Sequence, residues 1–293
     1  MSYVPAIDLD AIAAIDTHVH IEIDGLGRLS LPPVLMDASA AYFKSGERTP
    51  TLDAIADGYR RRAMAAVVFT VDAGTALGHP PLSSEDIAAG AARHADVLIP
   101  FGSVDPLTGA LAVDRARRLV EEHGVRGFKF HPSLQAFDPS AREYSPLWAT
   151  VADLGVPALF HTGQNGIGAG LPGGGGLKLA YSNPLLLDAV AADHPGLAVV
   201  FGHPSVPWQD EANSIALHKT NVWIDLSGWS PRYFPESLVK LAGGALQDRV
   251  LFGTDFPLIT PEKWLAAFET LPIPAEVRPK ILKHNAARLL GLS

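Results

Sequence analysis

The sequence predicts an α/β protein of the (β/α)8-barrel class, the TIM barrel, and three observations lead there. Short apolar, β-branched runs recur along the 293 residues, segments of helical periodicity lie between them, and eight such pairs can be counted. The expected strands cover residues 14–20, 66–72, 97–104, 125–131, 156–162, 197–203, 221–226 and 250–254. Each reads as a continuous apolar run ending in polar or Gly/Pro-rich sequence, as parallel strands buried on both faces do.

The expected helices cover 52–64, 84–94, 110–123, 146–154, 184–193, 209–218, 235–241 and 261–271. Ser83-Ser84-Glu85-Asp86 and Thr260-Pro261-Glu262 carry start signals, a hydroxyl able to cap and a Pro suited to the first turn. Residues 275–290 put Val277, Ile281, Leu282, Ala286, Leu289 and Leu290 on one face, which predicts a ninth helix packed across the barrel. No linker divides the chain, so residues 1–293 are expected to form one domain. Two segments, 21–50 and 163–183, exceed ordinary loop lengths and follow strand ends, where barrel active sites are built. The second contains Gly166, Gly168, Gly170 and the run 173–176, a backbone-permissive stretch with no following Lys-Ser/Thr and therefore no P-loop.

Composition narrows the chemistry. Hydrophobic residues make up 47% and charged residues 18%, which suits a large folded core. A net charge of -8 with no Lys/Arg-rich run disfavours nucleic acid and anionic membranes as partners. The absence of Cys excludes a disulfide framework, a thiolate metal site and a cysteine nucleophile. Residues 1–10 lack a basic region followed by an apolar stretch, and no later run approaches the ~20 apolar residues of a membrane span. The expected location is the cytoplasm and the expected partner a small-molecule substrate, with a homodimer allowed.

Of eleven His residues, five fall at the C-terminal ends of expected strands: His18, His20, His131, His161 and His203. Parallel strands bring all those ends to one face of a barrel, so these side chains should converge. His18 and His20 are two apart on a strand and share a face, as two ligands of one ion must. With His161 and Asp255 they make a set of three imidazoles and one carboxylate, which suits Zn²⁺ and also admits Mn²⁺ or Fe²⁺.

The motifs Ile15-Asp16-Thr17-His18-Val19-His20, Gly127-Phe128-Lys129-Phe130-His131-Pro132, His161-Thr162-Gly163, Gly202-His203-Pro204, Gly253-Thr254-Asp255-Phe256-Pro257 and 285–290 follow one another along nearly the whole chain. In them the sequence resembles the amidohydrolase superfamily, in the branch of aminocarboxymuconate-semialdehyde and γ-resorcylate decarboxylases. The resemblance implies one divalent ion held by His18, His20, His161 and Asp255, with His203 as the acid/base or electrophilic residue. Asp255 could combine ligation with proton transfer.

Lys129 divides the expectations: some members of the superfamily use a carboxylated strand-four lysine to bridge two metals, whereas this branch is usually mononuclear. Lys129 and His131 share a strand face and could instead neutralise a substrate carboxylate or hold an enolate, or Lys129 could form a buried ion pair with Asp105. Trp208, Trp229 and Arg232 are expected either to wall an aryl or acyl substrate or to pack the barrel rim. Asp225 is expected to orient His203 or a ligand, and Asp16 and Asp72 have the same options.

The expected activity is metal-assisted hydrolysis of a carbonyl-adjacent carbon-carbon or ester-like bond in an aromatic or acyl catabolite. Residues 172–181 and 229–233 look like members assigned to hydroxyphenyl β-ketoacyl-CoA hydrolysis. Decarboxylation of an aromatic or muconate-type acid is the close alternative. A barrel that binds metal or metabolite without turnover is the rival from another class, disfavoured by the base expected at His203. A nucleic-acid phosphodiesterase can also begin with His-x-His, but the acidic charge disfavours it.

Overall fold

The computed structural model describes residues 2–43 and 49–292. Its eight parallel strands are β1 (Ala14–His20), β2 (Met64–Phe69), β3 (Leu98–Pro100), β4 (Phe128–Phe130), β5 (Ala158–His161), β6 (Val199–Gly202), β7 (Val222–Asp225) and β8 (Val250–Leu251). β1–β3 and β4–β8 form two ladders in sequence order, and two seams close them into a barrel. At one seam Lys129 donates its backbone N–H to the Gly102 carbonyl, 2.8 Å away; at the other Thr17 donates to Phe252, Asp255 to His18 and His20 to Phe256, at 2.8–2.9 Å. A helix follows every strand, from Leu52–Arg61 before β2 to Pro261–Phe268 after β8. The TIM-barrel expectation therefore holds.

Every strand but β1 is shorter than periodicity predicts, and for β3, β4 and β8 a local reason is visible. Pro100 has no N–H with which to extend the β3 ladder. β4 is confined to the three residues that pair with β5. β8 stops because Phe252 donates its N–H to Ile281 of the C-terminal segment, 3.0 Å away. Ser83 caps its helix by accepting from Asp86, whereas Thr260 stands at the N-cap without a side-chain bond and Pro261 takes the first turn.

The expected ninth helix begins later than predicted: a π-helical turn over Lys280–His284 runs into an α-helix over Asn285–Leu290, with Pro279 ahead of it. Its Ala286, Ala287 and Leu290 pack on the inward-facing Ile15, Val67, Leu159 and Val200, plugging the barrel floor. Burying a Leu, Ile or Val side chain of this plug contributes roughly 1.5–3 kcal/mol. Asn285, fully buried, donates to the carbonyls of Gln247 and Val250 at 2.8 Å and so ties this plug to β8.

The two long segments meet over the opposite end. Segment 21–50, of which residues 44–48 lie outside the described residues, contains a helix over Pro33–Phe43. Segment 163–183 makes a 3-10 turn over Pro172–Gly176 in which Gly173, Gly174 and Gly175 all have φ near +60° (59, 64 and 65), a left-handed turn that side-chain-bearing residues resist. Leu31, Leu35 and Met36 pack with Ile167, Leu171 and Leu177 as a roof over the strand ends. No helix among the described residues is long and apolar enough to cross a membrane.

Removing the Asn285 amide would leave two backbone carbonyls without their donor in a dry environment. Asn285→Ala should lower unfolding stability by about 2 kcal/mol, read as a depressed thermal midpoint with kcat unchanged; an unaltered midpoint would mean that the C-terminal plug is not coupled to β8.

Candidate metal and active site

β1 delivers His18 and His20 to the same side of the barrel because successive side chains alternate. At the β8–β1 seam Asp255 follows on, and donor atoms of His18, His20 and Asp255 lie within 4.8 Å of one another. His20 Nε2 is 3.1 Å and His18 Nε2 3.4 Å from Asp255 Oδ1. His161, the fourth expected ligand, stands beside this cluster rather than within it: its ring stacks on His131 with centroids 3.9 Å apart and meets His203 edge-on at 4.8 Å. Its Nε2 is buried with no hydrogen-bond partner. A buried nitrogen lone pair left unsatisfied next to three clustered donors fits a divalent cation, which such a set of imidazoles and a carboxylate can hold.

Below the cluster, Asp225 and Ser227 are two apart at the end of β7 and share a face. His18 Nδ1 is 2.5 Å from Asp225 Oδ2, and Ser227 Oγ is 2.9 Å from that oxygen and 2.8 Å from Nδ1 of both His18 and His203. Ser227 has a single hydroxyl proton, which the carboxylate takes. With the carboxylate ionised, both neutral imidazoles place their protons on Nδ1, leaving Nε2 of His18 and of His203 as lone pairs. Asp225 thus orients His18 directly and reaches His203 only through Ser227. Burial pushes the Asp225 carboxyl up, against the Ser227 hydroxyl, which lowers it.

Backbone strain gathers at the same place. His203 (φ 79°) and Asp255 (φ 65°) sit in the left-handed region, an arrangement that costs on the order of 1–3 kcal/mol each and clusters at functional sites. Two glycines make room for the network: a Cβ on Gly228 would come within 2.4 Å of His203 Nδ1, and one on Gly253 within 2.2 Å of Asp225 Oδ1.

Lys129 is fully buried, with Nζ 2.9 Å from His18 Nε2 and 5.1 Å from the Phe69 ring centroid. Burial pulls its pKa down to about 8, while Asp255 and Asp225 pull it up. The alternative ion pair with Asp105 is not made; Asp105 instead accepts from the backbone of Thr75 and Leu107. Burial also lowers His203, to about 4, with Asp255 opposing. Asp255 is held near 2 because His203 and the His20 hydrogen bond outweigh its desolvation. Asp16 serves the seam, accepting from Tyr59 Oη and from the backbone and hydroxyl of Thr254 at 2.5–2.9 Å. Asp72 pairs with Arg115 at 2.6 Å, away from the cluster.

A cavity of about 660 Å³ opens over these groups, with His20, Lys129, His131, His161, His203 and Asp255 at its polar end. Of the expected wall, Trp229 lines the cavity and the other two residues need correction. Trp208, half-buried at the start of Gln209–His218, and Arg232, exposed, do not line the cavity; Trp229, Ser230 and Tyr233 do. Pro231–Tyr233 is a 3-10 turn with Ser230 at its N-cap, and Ser230 and Tyr233 line the cavity whereas Arg232 does not. Glu22, Gln164 and Asn165 also line the cavity and were not among the expected residues, since loop positions carry no periodicity to reveal them.

Residues 15–292 match the amidohydrolase family. A gamma-resorcylate decarboxylase from Rhodococcus jostii (strain RHA1) is 24% identical over 255 residues, spanning 72% of this chain and 75% of that protein. Among solved structures, an uncharacterised TIM-barrel protein from Bordetella bronchiseptica aligns with a TM-score of 0.79 at 24% identity, covering 95% of this chain and 98% of the other. A dihydroxybenzoic acid decarboxylase from Polaromonas sp. JS666, with bound manganese and the inhibitor 2-nitroresorcinol, aligns at 0.69 with 18% identity over 96% and 97% of the two chains.

His18→Ala removes one donor of the cluster and no part of the floor plug. Elemental analysis should find about one divalent ion per chain in the parent protein and little in the variant, with an unchanged circular dichroism spectrum. Two ions per chain with a carboxylated Lys129 would replace this arrangement with a bridged pair.

Proposed function

The chain belongs to the amidohydrolase family of metal-dependent enzymes, and from that premise we propose that it is a non-oxidative decarboxylase of a hydroxylated aromatic acid. The observation that carries this reading is the buried Lys129 ammonium at the polar end of the cavity, among four imidazoles and Asp255. That end suits an anionic substrate head. The decarboxylase names of the relatives favour cleavage of a carboxylate over the hydrolysis first expected, and the manganese relative makes Mn²⁺ the first ion to test beside Zn²⁺.

His18, His20, His161 and Asp255 would hold the ion. When bound there, a divalent cation supplies positive charge that neutralises and orients the carboxylate and ring oxygens of the substrate. Lys129 and His131 face the same cavity and hold the anionic head against it. His203 is neutral at pH 7 in its buried setting, and an arriving carboxylate raises its proton affinity, so imidazole and substrate gain a proton together. Nδ1–H of His203 donates to Ser227, which donates to Asp225, and this chain stabilises the imidazolium.

His203 Nε2 then gives its proton to the ring carbon that bears the carboxylate, while the neighbouring hydroxyl oxygen feeds electron density into the ring. A C–H bond forms, the C–C bond to the carboxylate breaks, its electron pair returns to the ring, and CO2 leaves. Solvent returns the proton to His203.

The manganese- or zinc-loaded protein should release CO2 and resorcinol from 2,6-dihydroxybenzoate, followed by gas capture and chromatography. Hydrolysis of an aryl β-keto thioester with no CO2 from any hydroxybenzoate would return the hydrolase reading in its place. Losing a positioned acid typically costs ~10²–10⁴ in rate, so His203→Asn should lower kcat by that factor with metal content retained. A variant emptied of metal would make His203 a ligand, and one with near-parent kcat would remove it from the mechanism.

A further inference from the structure

Among the described residues, two buried polar atoms without partners belong to residues lining the cavity over the strand ends: His161 Nε2 and Asn165 Nδ2. The first fits a cation. The second is a donor and needs an acceptor. Which way the Asn165 amide faces follows from its own turn, because Oδ1 accepts from Ile167 N–H at 2.9 Å and the NH₂ group is therefore the unsatisfied half. A desolvated amide donor left unpaired is costly, a penalty that a ligand oxygen would relieve.

The dimensions and lining of the cavity say what else that ligand carries. A dihydroxybenzoate has about eleven non-hydrogen atoms; at no more than the ~30 Å³ that one water occupies in the liquid, these fill at most about 330 Å³. Half of the roughly 660 Å³ would stay empty. The remaining wall is largely apolar: Leu31, Ile167, Leu177, Trp229 and Leu258 line it. Tyr42, Leu179 and Tyr233, exposed by 57%, 45% and 71%, border the same cavity. Large exposed apolar side chains gathered at one mouth mark a surface that a ligand covers.

Resting on the aromatic-acid reading above, we infer that the substrate ring carries an extended apolar substituent containing a carbonyl-type oxygen. Asn165 Nδ2 donates to that oxygen and so sets specificity for it. The loop geometry suits this role. Asn165 lies four residues beyond His161 on the segment rising from the barrel mouth, and Gly166 passes so close to the Phe43 ring that a Cβ there would come within 2.1 Å of it. The donor is thus held by the same contact that joins the two halves of the roof.

Calorimetric binding to the metal-loaded protein tests this without needing turnover. Three probes suffice: 2-hydroxybenzoate, the same acid with a hexyl group para to the carboxylate, and the same acid with a hexanoyl group there. Affinity should rise from the bare acid to the hexyl acid and rise again for the hexanoyl acid. Asn165→Asp keeps the acceptor that Ile167 uses and removes the donor. It should weaken hexanoyl binding about tenfold or more while leaving the bare and hexyl acids within about twofold. Equal affinity for all three probes would overturn the inference. So would an Asn165→Asp variant that loses all three alike, which would give the amide to the ring or to loop structure. Binding of none of the three would remove both this inference and the aromatic-acid reading. The expected pattern of binding with no release of CO2 would leave the inference standing and sink decarboxylation alone.

Discussion

The seam between β8 and β1 is the constraint on which the rest of the site depends. His18 and His20 belong to the first strand and Asp255 follows the last, so the three clustered donors meet only when the barrel closes. Asp16 holds that closure from inside, buried and bonded to Tyr59 and to both the backbone and side chain of Thr254. Burial raises its pKa to about 6 against the pull of these hydrogen bonds. A carboxyl so placed is structural, yet it stands two residues from His18 of the three-donor cluster. Fold closure and the gathering of these three side chains are therefore one event.

The second strand-end pair turns this closure into oriented chemistry. A single hydroxyl proton on Ser227 decides the tautomers of His18 and His203 together, because the Asp225 carboxylate claims it and each imidazole must then donate from Nδ1. The relay lies in a setting with no slack. Gly228 and Gly253 approach it where any Cβ would collide, and His203 and Asp255 sit in left-handed backbone that the surrounding hydrogen bonds must hold. Strain and network together fix the orientation of both imidazoles beside the cavity.

The roof has a different origin. Two insertions far apart in sequence bury apolar side chains against each other and enclose a space whose floor is polar and whose upper wall is apolar. The floor belongs to the barrel, whereas the roof belongs to this chain's own loops. Division of this kind lets a barrel keep its reacting groups while loop sequence selects the substrate.

The strand-end imidazoles and the eight βα units could be read from the chain by itself, because period-two alternation and apolar runs are properties of neighbouring residues and the barrel brings all strand ends to one face. His18 and His20 are legible for that reason, and so is their convergence with His131, His161 and His203. Tertiary structure decided what periodicity does not encode. It paired Asp225 with His18 and set Ser227 between the two imidazoles. It put Lys129 against His18 rather than Asp105, and His161 beside the three-donor cluster. Of the expected wall it kept Trp229, left out Trp208 and Arg232 and added Tyr233, since loop sequence carries no pattern to announce which side chains turn inward. Directions within a strand follow from local geometry; distances between loops and between strand ends exist only once the barrel has closed.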